Sequence, residues 1–162
     1  AGLPLALLTA VYTGYLLAQA KARDLWQSPL LPPHLAVQAV LAGAAAMLPA
    51  ALWRGEAGAA TALGWLLAGA ALAHLLFVLG ETTLPHVTAH ARLAVHAMTA
   101  GRFRGFFWAG LGLVALGLPA PWAVQAGGAG GWLAAGAALA AAGGVALHEH
   151  AYVQAGQSVP LA

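Results

Sequence analysis

The sequence predicts an all-α fold, a polytopic transmembrane helical bundle of about five spans with one short interfacial helix. The chain of 162 residues is 62% hydrophobic and only 6% charged, whereas an ordinary globular domain has about 25% charged residues. Its mean hydropathy is +0.81. The apolar residues form runs of about the 20 residues that cross a bilayer core. Short segments between these runs contain the charges, so the pattern is typical of a membrane protein.

Five apolar runs are the predicted spans, and short connections join them. They cover residues 3–20, 30–52, 59–80, 106–124 and 131–152. The fifth run is mostly Ala and Gly, which are weakly hydrophobic, so we expect its insertion to depend on packing against neighbours through small residues. In a chain this rich in Ala and Gly, such spacings also arise by chance. We expect residues 1–162 to form a single membrane domain.

The short interfacial helix is predicted within the segment 82–104. Thr83 is the expected N-cap, with Pro85 in the first turn, and the helix is expected to end at Gly101 after about four turns. His86 and His90 have the i, i+4 spacing of some zinc ligands. The segment lacks the glutamate of that zinc motif and a nearby third ligand, so we predict no metal site.

The basic residues predict the orientation in the membrane. Because successive spans alternate in direction, Lys21, Arg23, Arg92, Arg102 and Arg104 lie on one side and only Arg54 lies on the other. Basic residues favour the cytoplasmic side. The chain is therefore expected to enter from outside and to place its C-terminus in the cytoplasm.

Composition also limits the chemistry. The net charge of +2 comes from few charged groups. It reflects a small excess of basic residues in the loops rather than a basic face that would bind nucleic acid. The chain has no Cys, so it supplies no disulfide and no thiolate ligand for an iron–sulfur cluster. Any such cluster would belong to a partner, and His, Tyr, Gln and Glu are left for chemistry.

Ionisable groups at bilayer depth are the candidate functional residues, because each costs about 2.5–3.5 kcal/mol on insertion scales. The second span brings His34 and Gln38, and the third brings His74 and Glu81, to the cytoplasmic half of the membrane. His74 and Glu81 share one helix face, being seven residues apart. We predict proton transfer by His34, His74 and Glu81. The alternative is that His34 and Glu81 lie at the headgroups and only extend toward water.

Three further interpretations remain open at this stage, and one of them is a purely structural membrane anchor. His34 and His74, on facing helices, would suit the axial ligands of a haem b cytochrome, which predicts a Soret band that is lost when either histidine is replaced. A transporter segment would use helices broken at proline, such as Pro32, Pro33 or Pro49, around a midplane site. No paired repeat supports the transporter.

Two motifs support a more specific assignment. The stretch "AVYTGYLLAQAKARDLWQSPLLPPHLAVQAVLAGAA", residues 10–45, contains Tyr-x-Gly, then Leu-Trp, then Ser-x-Leu-x-Pro, and the tail "HEHAYVQAGQSVPLA" contains Ala-Gly-Gln-x-x-Pro. In this order they resemble the NrfD/PsrC-like polysulfide reductase family. The stretches "GETTLPHVTAHA" and "GRFRGFFWAGLGLVALGLP" between them are also similar, so the resemblance covers essentially the whole chain.

The resemblance implies an integral subunit of the bacterial or archaeal cytoplasmic membrane, without intrinsic haem. Such a subunit passes electrons between menaquinone or ubiquinone and an iron–sulfur subunit, which connects to a molybdenum-cofactor-type catalytic subunit. The family's Tyr-x-Gly tyrosine lies at the quinone pocket, and Tyr12 matches it. Whether the subunit is non-catalytic or itself quinone-reactive stays open. Because the family usually has eight helices or more, we expect this chain to be the C-terminal part of a longer subunit.

Overall fold

The chain folds into a bundle of helices in the computed structural model, which describes residues 2–21 and 23–160. Within these ranges there are seven α-helices, no strands and one short 3-10 turn. The helices are α1 (Gly2–Ala18), α2 (Leu31–Trp53), α3 (Ala57–Thr83), α4 (Ala89–Thr99), α5 (Arg104–Ala115), α6 (Ala120–Ala126) and α7 (Ala129–Ser158), and the 3-10 turn is Asp24–Gln27. The predicted all-α class is confirmed. The last two residues of the quoted C-terminal tail, Leu161 and Ala162, lie outside the described residues.

Four elements are long and apolar enough to cross a membrane: α2, α3, α7 and the consecutive pair α5 and α6. Helix α1 is also apolar but has 17 residues, which is the short end of the range for a span. Helix α7, at 30 residues, is about 45 Å long at 1.5 Å per residue. It therefore extends beyond a hydrocarbon core of about 30 Å.

The structure corrects two details of the predicted helices. The fourth span is not continuous, because α5 ends at Ala115 and α6 starts at Ala120. The turn between them contains Gly117 and Pro119, and proline cannot donate the hydrogen bond that would continue α5. The break is short, so α5 and α6 still form one apolar element of the length of a span.

The interfacial helix begins later than predicted. Thr83 is the last residue of α3, and its hydroxyl donates to the carbonyl of Leu79 at 2.6 Å. Leu84 is extended, with ψ of 145°, because the following Pro85 disfavours helical backbone in the residue before it. The N-cap of α4 is Thr88, whose hydroxyl accepts from the Ala91 N–H at 3.2 Å.

Small residues bring α7 close to its neighbours, in agreement with the expectation for the fifth span. Its buried face is mostly Ala and Gly. Where α7 crosses α5, Gly144 faces Gly110, and an added Cβ on Gly144 would lie 2.6 Å from the Gly110 carbonyl oxygen. Gly64 of α3 similarly allows close approach to Pro121 of α6. Such contacts let helix backbones pack closely in a membrane.

The connection between α1 and α2 is fixed to the C-terminal end of α7. The Arg23 guanidinium donates to the carbonyls of Gly156 and Gln157 at 2.9 Å and to that of Val159 at 2.8 Å. The Tyr152 hydroxyl donates to the carbonyl of Leu25 at 2.8 Å. An arginine at a helix C-terminus satisfies carbonyls that have no partner within the helix and interacts favourably with the helix dipole.

Arg23→Gln is expected to destabilise this end of the bundle. The substitution removes a charged donor to three carbonyls, and hydrogen bonds to charged groups contribute about 1.5–3 kcal/mol each before solvent exposure reduces the value. We expect faster amide exchange over residues 153–160 and a lower melting temperature in detergent. Lys21→Gln, at an exposed position in the same connection, is the control, and equal effects of the two substitutions would contradict the assigned role of Arg23.

Candidate functional site

A chain of buried polar side chains joins α2 and α3. Nδ1 of His34 lies 3.2 Å from Oε2 of Glu81, and Nε2 of His34 shares a hydrogen bond of 2.9 Å with Nδ1 of His74. His74 and Glu81 are on one face of α3, and His34 projects from α2 between them. The structure thus brings together His34, His74 and Glu81, as expected from the sequence. Their predicted role in proton transfer stays a prediction.

The chain of polar groups continues to α7. Gln38, one helical turn after His34, donates from Nε2 to Oε1 of Glu149 at 2.7 Å, and the same nitrogen is 3.4 Å from Nε2 of His34. The ring of His148 packs edge-on against His74, with the centroids 4.9 Å apart. We call these six residues the polar network. Its members are His34, Gln38, His74, Glu81, His148 and Glu149.

Local sequence explains how each helix presents its polar group. Pro32 and Pro33 lie in the first turn of α2, where a missing N–H costs no helical hydrogen bond. His34 therefore comes into the first helical turn, at the same end of the bundle as Glu81. On α7, the close crossing of Gly144 with α5 precedes His148 by one turn and holds that imidazole against the bundle core.

Five members of the polar network are buried, and Glu149 is partly buried. Glu81 is 5% exposed, His34 and His148 are each 1% exposed, and His74 is fully buried. An ionised carboxylate in such surroundings is expensive unless it is paired and hydrogen-bonded. The contact with His34 supplies that pairing, so the two side chains stabilise each other's burial.

The imidazole nitrogens allow proton movement along the chain. A neutral histidine has one donor nitrogen and one acceptor nitrogen. If Nδ1 of His34 donates to Glu81, its Nε2 accepts and Nδ1 of His74 must donate. Transfer of a proton along the chain reverses both hydrogen bonds without breaking the contacts. The arrangement therefore has the connectivity that a proton relay requires.

Several atoms of the polar network have no hydrogen-bond partner among residues 2–21 and 23–160. They are Nε2 of His74, Oε1 of Glu81, and Nδ1 and Nε2 of His148. Buried polar atoms in folded proteins are nearly always bonded. Unbonded atoms at both ends of the Glu81–His34–His74 chain mark the places where it can exchange a hydrogen bond with another group.

Three imidazoles meet the donor count of a metal site. Ring nitrogens of His34, His74 and His148 lie within 4.8 Å of one another. Nevertheless, Nε2 of His34 and Nδ1 of His74 are only 2.9 Å apart. Two nitrogen ligands of one tetrahedral zinc, each bonded at about 2.0 Å, would lie about 3.3 Å from each other. If the two nitrogens were the axial ligands on opposite sides of a haem iron, with bonds of about 2.0 Å, they would lie about 4 Å from each other. The geometry is that of a direct hydrogen bond.

Tyr12 is not part of the polar network. Helix α1 packs on α2 through Gly14, which faces Pro32. Tyr12 is two residues earlier, hence about 200° around the helix, and its side chain is 59% exposed. Tyr12 therefore lies on the outer surface of the described bundle. Its predicted hydrogen bond to a quinone stays a prediction.

The His86 and His90 pair does not have the helical spacing expected from the sequence. His86 precedes α4, which starts at Ala89, because Pro85 and the Thr88 cap delay the helix. His90 instead approaches Asp24, with Nδ1 4.0 Å from Oδ2. The two histidines therefore do not form the i, i+4 pair of a zinc motif.

His148 and Glu149, at the end of the predicted fifth span, were not joined to His34 and His74 from the sequence alone. A signal was available, because spans three and five run in the same direction and so end on the same side of the membrane. Which face of α7 points inward depends on its crossing with α5, and the Ala and Gly pattern around α7 does not single out one face. The tertiary structure therefore supplied this connection.

The comparisons with known proteins give one family. The family model described as "Polysulphide reductase, NrfD" matches residues 1–160. Neither the curated proteins nor the solved structures compared with the chain give a match. The family match covers every helix and every residue of the polar network.

Proposed function

The chain belongs to the polysulphide reductase NrfD family, and from this premise we propose that it binds quinone or quinol and exchanges electrons with an iron–sulfur partner subunit. Proteins of this family are membrane subunits of polysulphide or nitrite reductase-type complexes. The four long apolar elements agree with an integral membrane protein. In the proposed complex, the iron–sulfur subunit connects this chain to a molybdenum-cofactor-type catalytic subunit.

The observation that carries the proposal is the buried chain of Glu81, His34 and His74. Conversion between quinone and quinol moves two electrons and two protons. A membrane-embedded protein that supports it needs a path for protons through apolar surroundings, and the three side chains have the required connectivity. Since the chain has no Cys, electrons are expected to leave through cofactors of the partner. The quinone supplies the redox chemistry, while the protein orients it and moves protons.

Orientation follows from the charges at one end of the bundle. Lys21, Arg23, Arg92, Arg102 and Arg104 lie in or beside the α1–α2 and α3–α5 connections, near the C-terminal end of α7. By the preference of basic residues for the cytoplasm, we propose that this end and the C-terminus are cytoplasmic, in the cytoplasmic membrane of a bacterium or archaeon.

The first test is purification of the intact gene product with its associated subunits in mild detergent. We expect extractable menaquinone or ubiquinone and a co-purifying iron–sulfur subunit. A stoichiometric Soret band that disappears on replacing His34 or His74 would favour the haem b alternative. It would also contradict the direct hydrogen bond between these two rings. A protein that purifies alone and without quinone would contradict the proposal and favour a transporter.

Tyr12→Phe tests the residue assigned by the family motif. If the hydroxyl of Tyr12 donates to a quinone carbonyl, its loss should raise the apparent KM for quinone by about twofold to tenfold, since a hydrogen bond contributes about 0.5–1.5 kcal/mol net. Tyr15→Phe, on an exposed position one turn later, is the control. Unchanged quinone kinetics in the Tyr12 variant would indicate a structural role for this side chain.

A further inference from the structure

A cavity of about 440 Å³ lies at the end of the bundle that contains Glu81. It forms where the 3-10 turn, the C-terminal end of α3 and the segment before α4 meet. Three residues of its lining, Gln27, Leu84 and Val87, are exposed. The cavity therefore reaches the surface of the bundle, at the end that contains most of the basic residues and that we propose to be cytoplasmic.

Each element that forms the cavity contributes polar side chains to its wall. They are Asp24, Gln27, Ser28, Glu81, His86 and Thr88. The Asp24 side chain is 24% exposed, whereas Glu81 is 5% exposed. Polar groups thus extend from the surface of the bundle to the buried Glu81, which is one end of the polar network.

Two residues of the lining have buried atoms without a hydrogen-bond partner in the described part of the chain, Oε1 of Glu81 and Nε2 of His86. Buried polar atoms are nearly always bonded. An ionised carboxylate only accepts hydrogen bonds, while an imidazole nitrogen donates or accepts according to its tautomer. Water both donates and accepts, so water in the cavity would satisfy both atoms.

We propose that this cavity is filled with water and that Glu81 exchanges protons with the cytoplasm through it. The inference rests on the proposed function and names the route by which protons reach the chain of Glu81, His34 and His74. A proton that Glu81 takes from a hydronium ion leaves a neutral water molecule behind. That proton is then one hydrogen bond from His34 and two from His74, and the reverse steps release a proton to the cytoplasm.

The size and charge of the cavity suit water better than a lipid headgroup. A buried water molecule needs two to four polar partners, and at about 30 Å³ each on the order of ten molecules would fit the volume. The carboxylates of Asp24 and Glu81 would repel an anionic lipid phosphate. Tyr12 does not line the cavity, so the proposed quinone contact and the proton route lie on different surfaces of the chain.

An introduced cysteine can report whether the cavity contains water, because the chain has no Cys of its own. Ala91 is 7% exposed and lines the cavity, whereas Ala94, one turn later on α4, is 2% exposed and does not line it. The two alanines are therefore a matched pair for Ala91→Cys and Ala94→Cys. Both variants differ from the unaltered chain by one small side chain on the same helix.

The probe is a membrane-impermeant methanethiosulfonate with a trimethylammonium group, applied to the intact complex in inverted membrane vesicles, whose cytoplasmic face is outward. Mass spectrometry of this chain measures the modification. We expect the Ala91 variant to react at least about tenfold faster than the Ala94 variant, because only the thiolate reacts and burial in apolar surroundings suppresses it. Ser28→Cys, on the opposite wall of the cavity, is the second variant if Ala91→Cys does not fold.

The same modification tests the proton route. A bulky group attached within the cavity should lower quinone-linked turnover about tenfold or more, because loss of a proton-transferring group usually costs still more. The unaltered complex treated with the same reagent gives the baseline for thiols of the partner subunits. Turnover that stays at this baseline after complete modification of the Ala91 or Ser28 variant would overturn the inference.

Fast modification from the cytoplasmic face that excess quinone does not suppress, together with the loss of turnover, supports the inference. Modification no faster than in the Ala94 variant overturns it, as does modification from the opposite face only. Suppression by excess quinone also overturns it, because the cavity would then hold quinone. In each of these three results, normal quinone-linked turnover of the unaltered complex leaves the proposed function intact, whereas its absence would overturn the proposed function itself.

Discussion

Gly144→Val is expected to prevent assembly of the bundle. An added Cβ on Gly144 would lie 2.6 Å from the carbonyl oxygen of Gly110 and 2.7 Å from the amide nitrogen of Val114. Both atoms belong to the backbone of α5, so no side-chain rotation can relieve the overlap. Overpacking of a well-packed core costs about 1–3 kcal/mol, and a backbone clash at a helix crossing should exceed that range.

The measurement is the yield of monodisperse protein in detergent, together with its melting temperature. Gly143→Val is a close control, because the neighbouring glycine has open space around an added Cβ. We expect the Gly143 variant to resemble the unaltered protein and the Gly144 variant to be lost to aggregation or degradation. Normal yield and melting temperature for Gly144→Val would show that α5 and α7 do not cross at these glycines.

Glu81→Gln is expected to lower quinone-linked turnover about 100-fold or more, the usual range for loss of a proton-transferring side chain. Glutamine nearly preserves the shape of the side chain and can still contact Nδ1 of His34, but it cannot carry a proton. The bundle should therefore fold normally, while a proton can no longer pass through Glu81 to His34. The measurement is quinol oxidation or quinone reduction by the intact complex, with the melting temperature as a check of folding.

Glu56→Gln is the control, because it makes the same Glu-to-Gln change at a position outside the polar network. Glu56 is exposed, is paired with Arg54 at 2.7 Å and lies in the connection between α2 and α3, away from the polar network. Its substitution should leave turnover unchanged. Turnover of Glu81→Gln within about twofold of the unaltered complex would show that protons do not pass through Glu81.

The sequence indicated the family and much of the polar network for clear physical reasons. Apolar runs of span length are a strong signal because lipid cannot satisfy backbone hydrogen bonds outside a helix. His74 and Glu81 were placed on one face by helical periodicity, and His34 was placed at the same depth by alternation of the spans. Local signals were weaker at helix ends. Thr83 and Thr88 are both suitable N-cap residues for α4 by residue type. Because the backbone before Pro85 is extended, the helix starts later and Thr88 is its N-cap.

By itself, the sequence determined the membrane fold, the family, and the placement of His34, His74 and Glu81 in the same half of the membrane. Periodicity and hydropathy act along one helix and are therefore readable from residue order. Only the tertiary structure decided that His148 and Glu149 join this network and that Tyr12 faces outward. Each of these depends on how helices rotate and cross, and close contacts such as that of Gly110 with Gly144 fix those rotations through packing between residues far apart in the chain.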